Sequence, residues 1–426
     1  MEVGLLVLGG APAMAQPTVM SRAAPVVPDR AIAAPPVIQT PVEALAQDGA
    51  EYARLYGVTL PQAIRELEAQ QDSVAATDAL QQSYRDRLAG LWIAHDGGLR
   101  IVVLLTGDAA VPDQTIQAAG LTIPVTFQTG APATRSQILA AIATHQADIR
   151  AELRSPPGMG VDPRTGTLVV MVKAQDVGND GADALAARLG EIAGVPVQIR
   201  VWSDADVDLA AQGGGRVIGM DPAIGRRGVC TSGFVVTDGT QIGFATAAHC
   251  PDQLDYVEPS GGDVPLTMIG AWGARYQDVQ IHLGGAAFAP LFYADKGKTV
   301  SRPVMTWRNR DSTRSGDVVC HRGERTGYSC AEVLFVDYAP PGDLCAGPCT
   351  PTWVAVRGPT CKGGDSGGPV FSGTIAFGLV KGSSYTGDGR CRLYYYMSTD
   401  YLPPGWTVAV QSGSAVPQIQ KTSETN

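Results

Sequence analysis

Three short stretches of this chain carry residue types suited to nucleophilic chemistry. Gly364-Asp365-Ser366-Gly367-Gly368-Pro369 sets a serine among glycines, so the backbone can turn tightly and leave N–H groups aimed at whatever the hydroxyl attacks. Thr246-Ala247-Ala248-His249-Cys250 puts a histidine after a strand-like segment and beside a cysteine that can pin it. Tyr276-Gln277-Asp278-Val279-Gln280-Ile281 sets an acid among aromatic and apolar neighbours, as a partly buried carboxylate is set. A serine hydroxyl is a poor nucleophile at neutral pH and needs a base to take its proton and a third group to orient that base. Ser366, His249 and Asp278 fit those roles, and the backbone N–H groups of Gly364 and Ser366 fit an oxyanion hole. Singly, each residue reads as a loop serine, a core histidine or a turn acid. Together, in one region and in the order His, Asp, Ser, they do not.

The order also disposes of a competitor. Gly364 to Gly368 satisfies the G-x-S-x-G pattern of α/β-hydrolases, whose histidine follows the serine. Here His95, His145, His249, His282 and His321 all precede Ser366.

The elements that must position these groups change character along the 426 residues. Residues 1–15 have an apolar core and end on Ala13-Met14-Ala15, which predicts a signal peptide cut before Gln16, although Glu2 stands where a basic residue is usual. Residues 16–44, rich in Ala, Pro and Val without period, predict a linker. Residues 45–212 predict an α+β region: a helix from the Thr59 cap carrying Leu80, Tyr84 and Leu88, a strand over 99–105, and a helix with Ile138, Ile142, Ile149 and Leu153. A turn at Asp162-Pro163-Arg164-Thr165-Gly166 then leads into a strand over 167–173. A helix with Leu185, Leu189 and Ile192 follows, and a strand over 195–202. Gly213-Gly214-Gly215 marks the boundary. Beyond it, short segments such as 233–236 and 242–246 between Gly, Pro, Asp and Ser predict an all-β barrel or sandwich over 213–411, with a tail over 412–426.

Cysteine and charge divide at the same place. The eight cysteines all lie at or beyond Cys230, and the net charge of −9 belongs to the first 212 residues, with 14 Lys and Arg against 23 Asp and Glu; the remainder has 18 of each. An even cysteine count in one region suits an oxidising compartment, which with the signal predicts secretion, to the periplasm or beyond it. No basic stripe predicts nucleic acid as a partner, and no apolar run of about 20 residues predicts a membrane span.

Thr246–Cys250 and Gly364–Pro369, with the acid between them, resemble the chymotrypsin-like serine endopeptidases. Val319-Cys320-His321-Arg322-Gly323 through Thr326-Gly327-Tyr328-Ser329-Cys330 narrows the resemblance to the bacterial α-lytic protease and streptogrisin branch. The resemblance implies two six-stranded antiparallel barrels with the active site between them, His249 and Asp278 from the first and Ser366 from the second. It implies polypeptide substrates, a monomer, no metal and no cofactor. It also implies that residues 45–212 are a pro-region that assists folding and then inhibits. By the family pattern Cys230 pairs with Cys250, Cys320 with Cys330 and Cys361 with Cys391. Cys345 and Cys349 are left to a small-loop disulfide or half of a metal site.

Departures from the pattern matter as much. No Ile-Val-Gly-Gly start is present to hold Asp365, which leaves His321 or Arg322 as its expected partner. Lys381 stands where the family usually places a serine supporting the catalytic acid, and the step from Cys361 to Ser366 is one residue shorter than in streptogrisins. Thr360, Lys381, Gly382 and Ser383 are the expected pocket residues; no acid lies at the floor, which argues against Lys or Arg substrates and for small or apolar ones. A different class of function, a secreted binding protein silenced by Lys381 on a protease-like scaffold, is the alternative.

Overall fold

A computed structural model describes residues 35–178, 181–202, 207–208, 214–221, 225–258, 262–284, 288–386 and 388–411. The expected signal peptide, the first part of the linker, Gly213 and the tail lie outside the described residues. The described residues form one compact unit.

Among the described residues, the second half of the chain is built of strands, with one helical turn at Thr399–Tyr401. Six strands, Val318–Gly323, Pro369–Ser372, Ile375–Tyr385, Cys391–Ser398, Trp353–Arg357 and Gly327–Ala339, pair in that spatial order, and the last pairs back with the first to close an antiparallel barrel. Closure leaves the inward row apolar, with Val319, Val333, Val354, Val356, Val370, Phe377 and Val380 in one cluster.

The first barrel runs its strands through two sheets. It consists of a four-stranded sheet and a five-stranded sheet, the latter including the C-terminal strand Thr407–Val408. The chain passes from one sheet to the other at two corners, between Arg226–Thr231 and Val235–Thr237 and again at Leu266, with a register shift between Met268 and Gly270. Such bends let strands change sheets at a barrel's corner.

Residues 41–202 form two α+β lobes. The helices Pro41–Tyr56, Leu60–Asp72 and Val74–Ser83 and a four-stranded sheet make the first. The helices Arg135–Ala151 and Gly181–Ala193 lie on the strands Gly158–Asp162, Thr167–Lys173 and Val197–Trp202 in the second, around Ile138, Ile142, Leu168, Val170, Leu185 and Leu189. The hairpin of this lobe extends the second barrel, Tyr338 pairing with Gly160 and Ala339 with Met159, and with Thr306–Trp307 and Val207–Asp208 beside Ile375–Tyr385 eleven strands form one sheet.

Two differences from the sequence reading have local causes. Residues 35–44, read by composition as linker, carry the strand Val37–Ile38 beside Val300–Pro303 and the start of a helix capped by Thr40 and Glu43. The helix expected to run from Thr59 through Leu88 stops at Ser73, restarts, and ends by Tyr84; Leu88 opens the strand Leu88–Ala94.

Candidate active site

The strand Ile242–Thr246 pairs with Val279–Leu283, Thr246 opposite Gln280. That register sets the segment after the first strand beside the residue before the second, which is how His249 meets Asp278. The disulfide Cys230–Cys250 and the bond from Thr246 Oγ1 to the Thr231 carbonyl hold the histidine segment to its neighbouring strand. Asp278 Oδ1 accepts from the His249 backbone N–H at 3.1 Å, and Oδ2 lies 2.8 Å from Nδ1. The other ring nitrogen, Nε2, is 2.9 Å from Ser366 Oγ. The three residues named from sequence are thus brought into one hydrogen-bonded row spanning both barrels.

Ser366 sits in a turn that only glycines permit on either side. Gly364 and Gly367 have φ of 125° and 81°, and a Cβ on Gly367 would lie 2.2 Å from Thr246 Oγ1 and 2.3 Å from the Thr231 carbonyl. The N–H groups of Asp365, Gly367 and Gly368 are engaged within the turn or with Val380, and Thr231 N–H donates to the Ser366 carbonyl at 2.8 Å. The N–H groups of Gly364 and Ser366 donate to no acceptor among the described residues, leaving them available to an oxyanion.

Asp278 is buried, which pushes its carboxyl up, but the charges of His249 and Lys381 and hydrogen bonds from both outweigh burial and hold it well below the usual carboxylate range. It is an anion wherever the protein is folded at ordinary pH.

Asp365 corrects the sequence reading. It accepts from the backbone N–H groups of Lys362, Arg325 and Thr326 and from Thr326 Oγ1 at 2.8 Å, rather than from His321 or Arg322. His321 stands one hydroxyl away, 3.4 Å from Thr326 Oγ1, and Arg322 turns to Glu324 and the Asp295 and Lys296 carbonyls. The turn Glu324-Arg325-Thr326 offers two adjacent N–H donors and a hydroxyl, a signal no side-chain charge count reveals.

Thr360 Oγ1 meets Ser329 Oγ at 2.7 Å, while Gly382 and Ser383 pair with Asp208 and Val207 of the chain's own short strand. The side chain of Lys381 turns inward, 1% exposed, and its Nζ lies 3.3 Å from Asp278 Oδ2. The cysteines join as Cys230–Cys250, Cys320–Cys330, Cys361–Cys391 and Cys345–Cys349, so the last two form a small loop and hold no metal.

No family model matches the chain. Streptogrisin-C of Streptomyces griseus is 28% identical over 211 residues, 46% of this chain and 41% of streptogrisin-C, so the chain spans about two fifths of that relative's length. Serine protease 1 of Streptomyces fradiae is 28% identical over 330 residues, 74% of this chain and 81% of that protein. Among solved structures, protease A of Thermobifida fusca matches 47% of this chain and 100% of its own at 22% identity, with a TM-score of 0.37, a likeness too loose to add to the strand pairing above. By its sequence relatives, the chain is similar to bacterial serine proteases.

Proposed function

We propose that the chain is the precursor of a secreted serine endopeptidase, in which residues 45–212 assist the folding of residues 213–411 and then inhibit them until cut away. The observation that carries the catalytic reading is the row Asp278–His249–Ser366, with the ring nitrogens 2.8 and 2.9 Å from their partners. Ser366 Oγ attacks the peptide carbonyl carbon as its proton passes to His249 Nε2, and the oxyanion takes the Gly364 and Ser366 N–H groups. The C–N bond then breaks as His249 returns the proton to the leaving amine, and water hydrolyses the acyl-enzyme by the same route. Asp278 fixes the ring and faces the imidazolium that forms. The rate rises with pH as His249 loses its proton.

Inhibition in cis is supported by Val207 and Asp208, which add a strand against Ser383 and Gly382 beside the serine. An extended substrate docks by the same strand addition, so this segment and substrate compete. Ser366 is fully buried in this arrangement. Four disulfides on one side of the boundary suit a product that works in an oxidising compartment, and no described helix is long and apolar enough to cross a membrane.

The test is labelling of the secreted protein by a fluorophosphonate probe, together with casein turnover. Labelling abolished in Ser366→Ala, with turnover, is the expected result. Absent labelling and turnover in mature protein favour the silent binding scaffold instead.

A further inference from the structure

Lys381 touches both ends of the Asp278–His249–Ser366 row. Its carbonyl oxygen lies 3.1 Å from Ser366 Oγ, and its ammonium lies 3.3 Å from the same Asp278 oxygen that faces His249 Nδ1. The local backbone explains the reach. Along the strand Ile375–Tyr385, Val380 pairs with Tyr396 and Gly382 with Tyr395, so Lys381 is the extra residue of a bulge, the device by which a sheet re-aims a side chain. Its Nζ passes 5.4 Å from the ring centre of the buried Trp353, whose Nε1 donates to the Arg275 carbonyl three residues before Asp278. A lysine 1% exposed is rare unless its charge is paired, and here the counter-charge is the carboxylate that the base depends on.

We propose that Lys381 is a positioning residue that shares the Asp278 carboxylate with His249 and so lowers the pH at which the triad becomes competent. This rests on the triad reading given above. A lone buried carboxylate favours the imidazolium and keeps the histidine protonated to higher pH. An ammonium on the same oxygen offsets that charge, so His249 releases its proton earlier and stands ready as a base in more acid medium. The charged groups facing Asp278 are His249, from the segment after Ile242–Thr246, and Lys381, from Ile375–Tyr385. Met397 on Cys391–Ser398, whose Sδ lies 3.3 Å from the Asp278 N–H, and Trp353 on Trp353–Arg357 bring no charge.

The test compares wild type with Lys381→Ser, Lys381→Met and Lys381→Arg in two readouts: the acid limb of kcat/KM against pH, and the titration of the His249 ring by NMR in the same secreted proteins. The expected result is an acid limb displaced upward by roughly one pH unit in the Ser and Met variants, with about tenfold lower kcat/KM relative to plateau one unit below the wild-type midpoint, and near wild-type behaviour in Lys381→Arg. A Lys381 that merely fills space would change the plateau without moving the midpoint, and Lys381→Met would restore what Lys381→Ser loses. Coincident His249 titrations in wild type and in whichever of Ser or Met folds overturn the proposal. If wild type neither labels nor turns over peptide, the protease reading fails, and the NMR titration still decides whether Lys381 governs His249.

Discussion

A histidine with no partner sets an acid limit on the fold itself. His282 is fully buried in the first barrel, its ring stacked 5.8 Å from that of Phe244, and neither ring nitrogen has a hydrogen-bond partner among the described residues. Burial lowers its pKa to about 4. Because the unfolded chain takes up this proton near pH 6.5 and the folded chain resists it, stability is lost as pH falls from about 6.5 towards 4. The loss from this residue amounts to about 2 kcal/mol by pH 5, and His282→Leu should flatten that part of the curve, read as the denaturant midpoint at pH 7 and pH 5. Asp278, held low by its partners, contributes stability that is present above the unfolded carboxyl's range and lost only in stronger acid. The residues proposed to do chemistry were legible because each sits in a short motif whose types have little other use. Lys381 was visible only as a misfit, since its meeting with Asp278 depends on a bulge, and a bulge leaves no mark in the alternation of Leu379-Val380-Lys381-Gly382-Ser383.

At the scale of elements, the helix Pro41–Tyr56 is the instructive failure. Its capping pair, Thr40 and Glu43, was present in the sequence, yet its buried face is Ala44, Asp48, Gly49 and Tyr52, which has no apolar period to detect. The reason lies across the interface. Asp48 accepts from Arg302 Nη1 at 2.9 Å, from Tyr328 OH at 2.6 Å and from Gly373 N–H at 2.6 Å, all within the β half. A helix that buries an acid against a distant arginine cannot be read from its own periodicity. Removing one partner of a buried pair strands the other. Asp48→Ala in uncut, Ser366→Ala protein should therefore cost about 3 to 5 kcal/mol in denaturant unfolding. The false continuation through Leu80, Tyr84 and Leu88 has the opposite cause: a four-residue spacing persisted by chance across a helix end and into a strand. The strands 99–105 and 167–173 were legible because β-branched residues run between clear turn signals.

At the scale of the molecule, the division of cysteine and charge near residue 213 coincides with a change from α+β lobes to barrels, but not with separate bodies. Polar bonds cross it in several places: the buried bond from Arg314 Nη1 to Ser73 Oγ at 2.9 Å, and the half-buried bonds from Arg135 Nη2 to Asp337 at 2.8 Å and from Arg164 to Glu332 at 2.9 Å. Apolar packing crosses it as well, with Tyr52, Ala63 and Leu67 in one cluster with Phe292, Val318 and Phe371, and Val169 and Met171 in another with Phe335, Tyr338 and Tyr395. N-terminal sequencing of active secreted protein should find a start near Gly213 and a chain of roughly 200 residues containing every disulfide; a full-length active chain instead makes the N-terminal lobes a permanent part of the enzyme.

The hairpin that continues the second barrel has one more consequence. While attached, it occupies the free side of the strand Gly327–Ala339 at Tyr338 and Ala339, with Gly158 so close that a Cβ there would meet Tyr338 OH at 2.8 Å. Its removal, under the proposed maturation, would uncover an unpaired sheet edge, the kind of surface on which identical chains aggregate. The next two residues are Pro340 and Pro341, neither of which has an N–H to offer. If residues 45–212 are cut away as proposed, the bare edge is therefore only two residues long before the prolines interrupt it.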